Sequence, residues 1–477
     1  MAPAPTTVES VHVHPAAGCG TIDAPWTGWE RQIEAGLFGG PRAYLFGAGF
    51  WATQRPVRLG SGVSLGPADP GEGRPWFLPA DDVDSIFRID GSHDVALHGI
   101  CLEGRAGRAA HGVLVRCGTR IEIRGCRFDD FTARKGAAIL VAGESSDRWV
   151  RGLVIETCTF LHGATALRLD RDVSDLLVAD NRFEEFTEPA VVVDPRDRWV
   201  DYGLIFVKNR LRSTATDRDA PLVRVLAGAE NLRLAENVFE GPEHDAAPRP
   251  DGPAAIEVRG GGPSNRRRLE VLLNAMAGIR GPAIEARHCG SGFVACGNRV
   301  SSCGTSKKAA IDLTACHGVL IEDNEIRQPR GPALRFHECQ RTRANGNDVQ
   351  GPPDGSLPRS GGPGVFVEGE GTRRVRISDN RVSGMKEIGV LVTGGVGLRL
   401  VGNEVKDCGE GIRVRSARGL VLVGNDCRDN GAGGIHVETD VRRGLVALNH
   451  AILNGPVDFA VHGQGIRCRD NKVEYEE

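Results

Sequence analysis

Apolar residues recur along this chain in two short runs per repeat, with polar marks between them. One run leads into an asparagine: Leu176-Leu177-Val178 before Asn181, Leu204 to Val207 before Asn209, Val319-Leu320-Ile321 before Asn324, Leu420 to Val423 before Asn425. The other follows eight to ten residues later and alternates: Ile256-Glu257-Val258, Ile284-Glu285-Ala286, Ile311-Asp312-Leu313, Ile412-Arg413-Val414, Ile435-His436-Val437. Period-two alternation rich in β-branched residues and bounded by Gly, Pro and Asn predicts short strands. No repeat holds the long amphipathic run of a helical or leucine-rich unit, and there is no room for a βαβ crossover helix.

The asparagines set the period. Asn181, Asn209, Asn237, Asn274, Asn298, Asn324, Asn347, Asn380, Asn403, Asn425, Asn449 and Asn471 follow one another at 28, 28, 37, 24, 26, 23, 33, 23, 22, 24 and 22 residues. Most have an apolar residue two places on, and Cys126 and Cys158 hold the same place before Phe128 and Phe160. A period in the twenties with scattered insertions predicts a solenoid. The fold class expected is all-β: a coil of parallel strands with at least fourteen turns, one residue in two facing a common core. Asn suits the corner because it tolerates the left-handed backbone region. Its amide can also bond to the Asn one turn away, as in stacked sheets.

The N-terminal segment breaks the pattern. Pro25 to Leu37 reads as an amphipathic helix with Trp26, Trp29, Ile33 and Leu37 on one side, suited to capping the open end of a solenoid. Residues 1–20 are expected to be loosely ordered. Two regions follow: an arm and capping helix over 1–40, and the coil over 41–477. Insertions at 142–150, 194–202, 240–253, 260–268 and 351–363 are rich in Pro, Gly and charge and read as surface loops. Two of them share Asp-Arg-Trp-Val, at Asp147 to Val150 and Asp197 to Val200. Their Trp149 and Trp199 pack on a strand flank or offer a flat face to a sugar ring.

Over about residues 40–475 the Asn-marked repeat resembles the right-handed parallel β-helix proteins of the pectate-lyase-like superfamily. The run Gly47-Ala48-Gly49-Phe50, Pro56-Val57-Arg58-Leu59 and Ser61-Gly62-Val63-Ser64-Leu65 resembles that superfamily's entry turn. The resemblance implies the fold; one fold hosts many activities.

Composition narrows the classes. A net charge of −3 excludes a nucleic-acid partner on bulk electrostatics. No run of eighteen apolar residues exists, so no membrane span is expected. The first thirty residues show neither a basic leader nor an apolar stretch. The 13 Cys include no Cys-x-x-Cys pair, so no zinc site is expected and the thiols read as small buried hydrophobes. A cytoplasmic setting is the expectation. Calcium assists many acidic-glycan enzymes of the resembled fold and is the one candidate cofactor, although no tight Asp cluster marks a site.

Candidate chemistry lies on the outward middle positions of the apolar-x-apolar strands. That column includes Leu140, Arg168, Val192, Arg224, Glu257, Glu285, Asp312, Arg335, Arg413 and His436. Two residues on, a second column includes Asp170, Asp194, Arg259, Arg287 and His337. Read rung by rung, they form a strip of mixed charge. Arg168, Asp170, Arg196, Arg224, Glu257, Arg259 and Arg287 are candidate substrate contacts, because guanidinium groups pair bidentately with carboxylates. Glu285, Asp312, Arg335 and His337 are candidate catalytic groups: proton removal beside a carboxylate needs a cation and a base, and hydrolysis needs two carboxylates. The same alternation also serves as plain solvated surface, with opposite charges aiding the stacking of strands.

Asp194-Pro195-Arg196-Asp197, followed by Gly203-Leu204-Ile205 and Asn209, resembles the Asp-Pro-His-Asp segment of mannuronan C5-epimerases. Carried over, Asp194 and Asp197 match the two acids. Arg196 stands in place of the His, and Val191 to Val193 in place of the Tyr-Gly-Phe before it. The marks of polygalacturonases are absent apart from Arg413-Val414-Arg415. The reading is a carbohydrate-active enzyme on a uronate-type glycan, by lyase, epimerase or hydrolase chemistry. The alternatives are a glycan-binding or structural β-helix, for which no trimerisation stalk or export signal is visible, and an intracellular enzyme on a small molecule.

Overall fold

The computed structural model describes residues 9–14, 20–35, 41–143, 148–170, 173–196, 200–213, 220–242, 252–261, 268–353 and 361–474. The chain divides into two compact units, Met1–Leu232 and Arg233–Glu477. Each is a coil of parallel strands, three to a turn where the sequence pattern suggests two. A turn of the second unit runs Ile311–Thr314, Leu320–Glu322 and Glu325–Arg327. A turn of the first runs Ala137–Val141, Val150–Glu156 and Thr159–Gly163. The third strand is the Asn-x-apolar mark itself, too short to announce itself by alternation.

Registers between turns are regular and wholly parallel. In the second unit Ile284 pairs with Ile311 and Ile311 with Leu334 on the first strands, and Val300 with Ile326 and Ile326 with Val349 on the third. In the first unit Ile139 pairs with Leu167, Leu153 with Leu176 and Phe160 with Phe183. Identical positions therefore stack. The rings of Phe128, Phe160 and Phe183 stack with successive centroids 4.8 Å apart and planes nearly parallel, inside the first coil. Each inner strand pairs with the turn before and the turn after, which leaves it no free edge.

The asparagine corner departs from expectation in one respect. The left-handed residue is the one before each Asn: Asp180 (φ 54°), Lys208 (56°), Leu273 (55°), Gly297 (65°), Asp323 (51°) and Gly402 (67°). The Asn turns inward and is buried. In the second unit each backbone N–H and amide Nδ2 donates to the Oδ1 of the next Asn, from Asn274 to Asn298, Asn324 and Asn347, at 2.9–3.1 Å. The same amides donate to strand carbonyls, as Asn324 does to Ala295 O. The corner needs a side chain with both donor and acceptor in a dry place, which is why Asn holds it. Cys158 has no such acceptor; its N–H donates to Asn181 Oδ1 at 2.8 Å.

The N-terminal helix is shorter than expected, Glu30–Ala35. Trp26 instead forms a parallel bridge with Trp51, which takes the start of the segment out of the helix. Trp29 and Ile33 are fully buried, and the Trp29 ring packs on Phe46, Phe77 and Phe87 while its Nε1 donates to Ala52 O. The helix thus covers the aromatic end of the first core. The loose order expected of residues 1–20 is corrected over Glu9–His12, a strand in register with Arg42 to Leu45, because the first turn offers an edge to pair with. Leu37 lies outside the described residues.

Candidate functional site

The outward column of the first unit runs through paired strands. Leu114 lies beside Leu140, Leu140 beside Arg168, Arg168 beside Val192 and Val192 beside Arg224. At the start of the same strands His111 sits between Ser85 and Ala137. A cleft of about 490 Å³ opens here, lined by Leu114, Leu140 and Ala142 below and by His111, Arg116, Asp170 and Arg196 around. Short apolar side chains leave the depth, and charged ones close the sides.

Asp170 is only 1% exposed. Arg168 Nε donates to its Oδ1 at 3.0 Å, and the Arg196 guanidinium is ion-paired to its Oδ2. Arg168 Nη2 also donates to Asp194 Oδ2 at 3.0 Å. Asp194 in turn accepts from Arg196 N at 3.1 Å, so the Asp-Pro-Arg segment is folded as a turn that brings Arg196 to Asp170. His111 is 7% exposed. Its Nδ1 lies 3.2 Å from Ala137 O and 3.1 Å from Ala137 N. Burial holds its pKa below the ordinary 6.5, despite the Ala137 carbonyl and Asp84, so the ring is neutral at neutral pH. Nε2 has no partner among the described residues, which leaves it for a ligand.

The second unit carries the other candidates on one face. Glu257, Glu285, Asp312 and Arg335 occupy successive paired positions, with Arg259, Arg287, Thr314 and His337 in register beside them. Their strands point these side chains outward, yet the three carboxylates are buried, Asp312 to 2% exposure. Neighbouring side chains cover them. Arg259 Nε donates to Glu257 Oε1 at 2.9 Å. Glu285 is paired with Arg287 and with Lys308, whose Nζ lies 3.3 Å away. Asp312 accepts from Ala309 N at 3.0 Å and from Arg335 Nη1 at 3.3 Å, and Arg335 Nε donates to Glu368 at 2.6 Å. His337 Nδ1 stands 3.4 Å from Glu368. Burial raises the Asp312 carboxyl above the usual carboxylate range; Arg335 and the Ala309 N–H oppose the rise.

The structure therefore brings Arg168, Asp170, Asp194 and Arg196 together in one unit and Glu257 through His337 together in the other. Arg224 continues the first column beyond Val192. Trp149 is 40% exposed but stands outside the cleft, with Arg151 over its ring at 5.5 Å. Asp197 and Trp199 lie outside the described residues. His111 escaped the sequence reading because the outward column was followed only from Leu140, one turn after it. Aligning Val113-Leu114-Val115 with Ile139-Leu140-Val141 would have reached it. A second cluster was also missed: Glu410, buried, accepts from Arg413 Nη1 at 3.0 Å and lies 2.6 Å from His436 Nδ1.

Among the described residues one grouping has metal-ligand spacing, Cys296, Glu322 and Asp323, with donor atoms within 4.8 Å. Burial holds the Cys296 thiol in its protonated form, and calcium takes oxygen ligands, so this set does not fit calcium. No described helix is long and apolar enough to cross a membrane.

Residues 363–476 match the family model described as a right handed beta helix region. No curated protein matches the chain in sequence. Among solved structures it is similar to the A-module of a mannuronan C-5 epimerase from Azotobacter vinelandii, with 14% identity, 94% of each chain covered and a TM-score of 0.33. It is also similar to a tailspike protein mutant of E. coli bacteriophage HK620 in complex with pentasaccharide (10% identity, 78% of this chain and 71% of that one, TM-score 0.45). A third is a tailspike protein from Acinetobacter baumannii bacteriophage Fri1, a capsular polysaccharide depolymerase (10% identity, 79% and 61%, TM-score 0.43). At this identity such likeness concerns the fold and not this chain's own substrate.

Proposed function

We propose that this chain, a right-handed parallel β-helix, is an enzyme acting on an acidic glycan in the cleft of its first unit. One observation carries the reading: a neutral buried His111 and the ion-paired Asp170–Arg196 line the same cleft over an apolar floor. A uronate ring stacks its apolar face on Leu114 and Leu140 and turns its carboxylate to Arg196. The guanidinium lowers the cost of charge that develops when the neighbouring C–H bond breaks. His111 Nε2 takes that proton, in the tautomer whose Nδ1–H donates to Ala137 O. The electron pair passes to the carboxylate. It returns to carbon as water gives a proton on the other face, an epimerisation, or expels the glycosidic oxygen, which leaves with a proton from water, an elimination.

A second reading is favoured by the raised pKa of Asp312 beside Glu285. A carboxyl held protonated can act as a general acid, and two carboxylates on neighbouring rungs suit hydrolysis.

The test is incubation with uronate-containing glycans in D₂O, followed by NMR. Deuterium at the sugar C5 or new unsaturated ends, lost in His111→Gln and kept in Asp312→Asn, supports the first reading. New reducing ends without exchange would move the chemistry to Glu285 and Asp312. Silence across the panel would favour a small-molecule substrate or a binding role.

A further inference from the structure

On a different face of the second unit, five arginines line a groove of about 490 Å³: Arg341, Arg343, Arg374, Arg376 and Arg399. Arg343 pairs with Arg376 and Arg376 with Arg399, so three guanidinium groups occupy one outward position on successive rungs. The rungs are about 4.8 Å apart, and like charges directly opposite destabilise a sheet.

The fold does not require them. The same position holds Leu320 one rung before and Val421 one rung after. Arg341 and Arg374 add a second oddity. Both sit in the left-handed region, at φ 52° and 54°, at a corner where Gly318, Gly397 and Gly419 serve neighbouring turns. A side chain there costs about 1 kcal/mol that glycine avoids. None of the five has an ion-pair partner among the described residues, and no carboxylate lines the groove. Elsewhere on the same coil outward arginines are neutralised, as Arg327 is by Asp348 and Arg381 by Glu404.

We infer that this groove is a binding site for a linear acidic glycan, whose carboxylate or sulfate groups recur along the chain as the arginines recur along the rungs. Guanidinium groups match such oxyanions bidentately. A nucleic acid is disfavoured because no aromatic side chain among the described residues lines the groove to stack a base, and the net charge is −3. The inference is independent of the chemistry assigned to the first unit.

The experiment measures binding of an end-labelled oligogalacturonate, a sulfated oligosaccharide, a neutral oligosaccharide and single-stranded DNA by fluorescence anisotropy. The proteins are the wild type, the triple variant Arg343→Gln/Arg376→Gln/Arg399→Gln, and His111→Gln. The expected result is salt-sensitive binding of one or both acidic glycans, weakened about tenfold or more in the triple variant and retained in His111→Gln. The tighter of the two identifies the anionic group. Equal affinity in the triple variant, no binding of either acidic glycan, or tighter binding of DNA overturns it. Arg341→Gly/Arg374→Gly serves as the second variant: it relieves the backbone strain, so lost binding with unchanged or raised thermal stability separates ligand contact from folding.

Discussion

The outward position of the first strands carries leucine at Leu114 and Leu140 in one unit and carboxylates at Glu257, Glu285 and Asp312 in the other. The strand geometry is the same. In the first unit the short side chains leave a cleft, and His111 and the Asp170-paired Arg196 line it. In the second, long arginines and Lys308 fold back over the carboxylates and satisfy them. An outward charge is thus no sign of access by itself. What surrounds it decides whether it meets a ligand or its neighbour, and the emptier face is the better candidate for chemistry.

Five substitutions, with Arg335→Ala as a comparator, test that contrast in order of expected effect. His111→Gln keeps a polar group against Ala137 and removes the base; turnover on a uronate glycan should fall by about 10²–10⁴ in steady-state kinetics. Unchanged turnover there, with a loss in Arg335→Ala, would reverse the ranking of the two faces. Next come the corners. Asn324→Ala strands two donors, the N–H and Nδ2 of Asn298, whereas Asn181→Ala strands the Cys158 N–H. Urea unfolding should register a cost of about 3 kcal/mol for the former and roughly half that for the latter.

Leu140→Glu brings the second unit's chemistry into the first. The new carboxylate would sit beside Arg168 and fill the cleft floor. Substrate affinity should drop about tenfold with little change in melting temperature; undiminished affinity would mean that the cleft is not where the glycan lies. The smallest effect belongs to Asp312→Asn. Because burial raises the folded-state pKa above 3.8, the favourable contribution of this group is complete below 3.8 and is lost as pH rises through the folded value. Wild type and variant should therefore unfold alike in acid. At neutral pH the variant should equal or exceed the wild type by less than about 1 kcal/mol, with Arg335 still held by Glu368.

The coil was legible because the Asn marks repeat against a dry core that tolerates few other side chains. The third strand was not, since three residues such as Glu325–Arg327 are too few to show a period. The left-handed residue was placed one position late, because its identity varies among Asp, Lys, Leu and Gly while Asn stays fixed. Among site residues, the side on which Asp170, Glu285 and Asp312 lie followed from strand alternation. Their burial did not, since it depends on Arg196, Lys308 and Arg335 arriving from other turns. His111 was missed for another reason: its turn, marked by Cys126, stands one turn before Leu140, where the outward column was begun.

Every link of the second unit's corner ladder is donated in one direction, from Asn237 through Asn449 to Asn471. The separations it bridges range from 22 to 37 residues, so the spine is indifferent to what lies between its amides. A whole turn could be duplicated, lost or exchanged and still plug into the next, provided it brings one inward asparagine. Such a chain can lengthen its faces, or trade an arginine rung for a leucine one, by the gain or loss of a single turn.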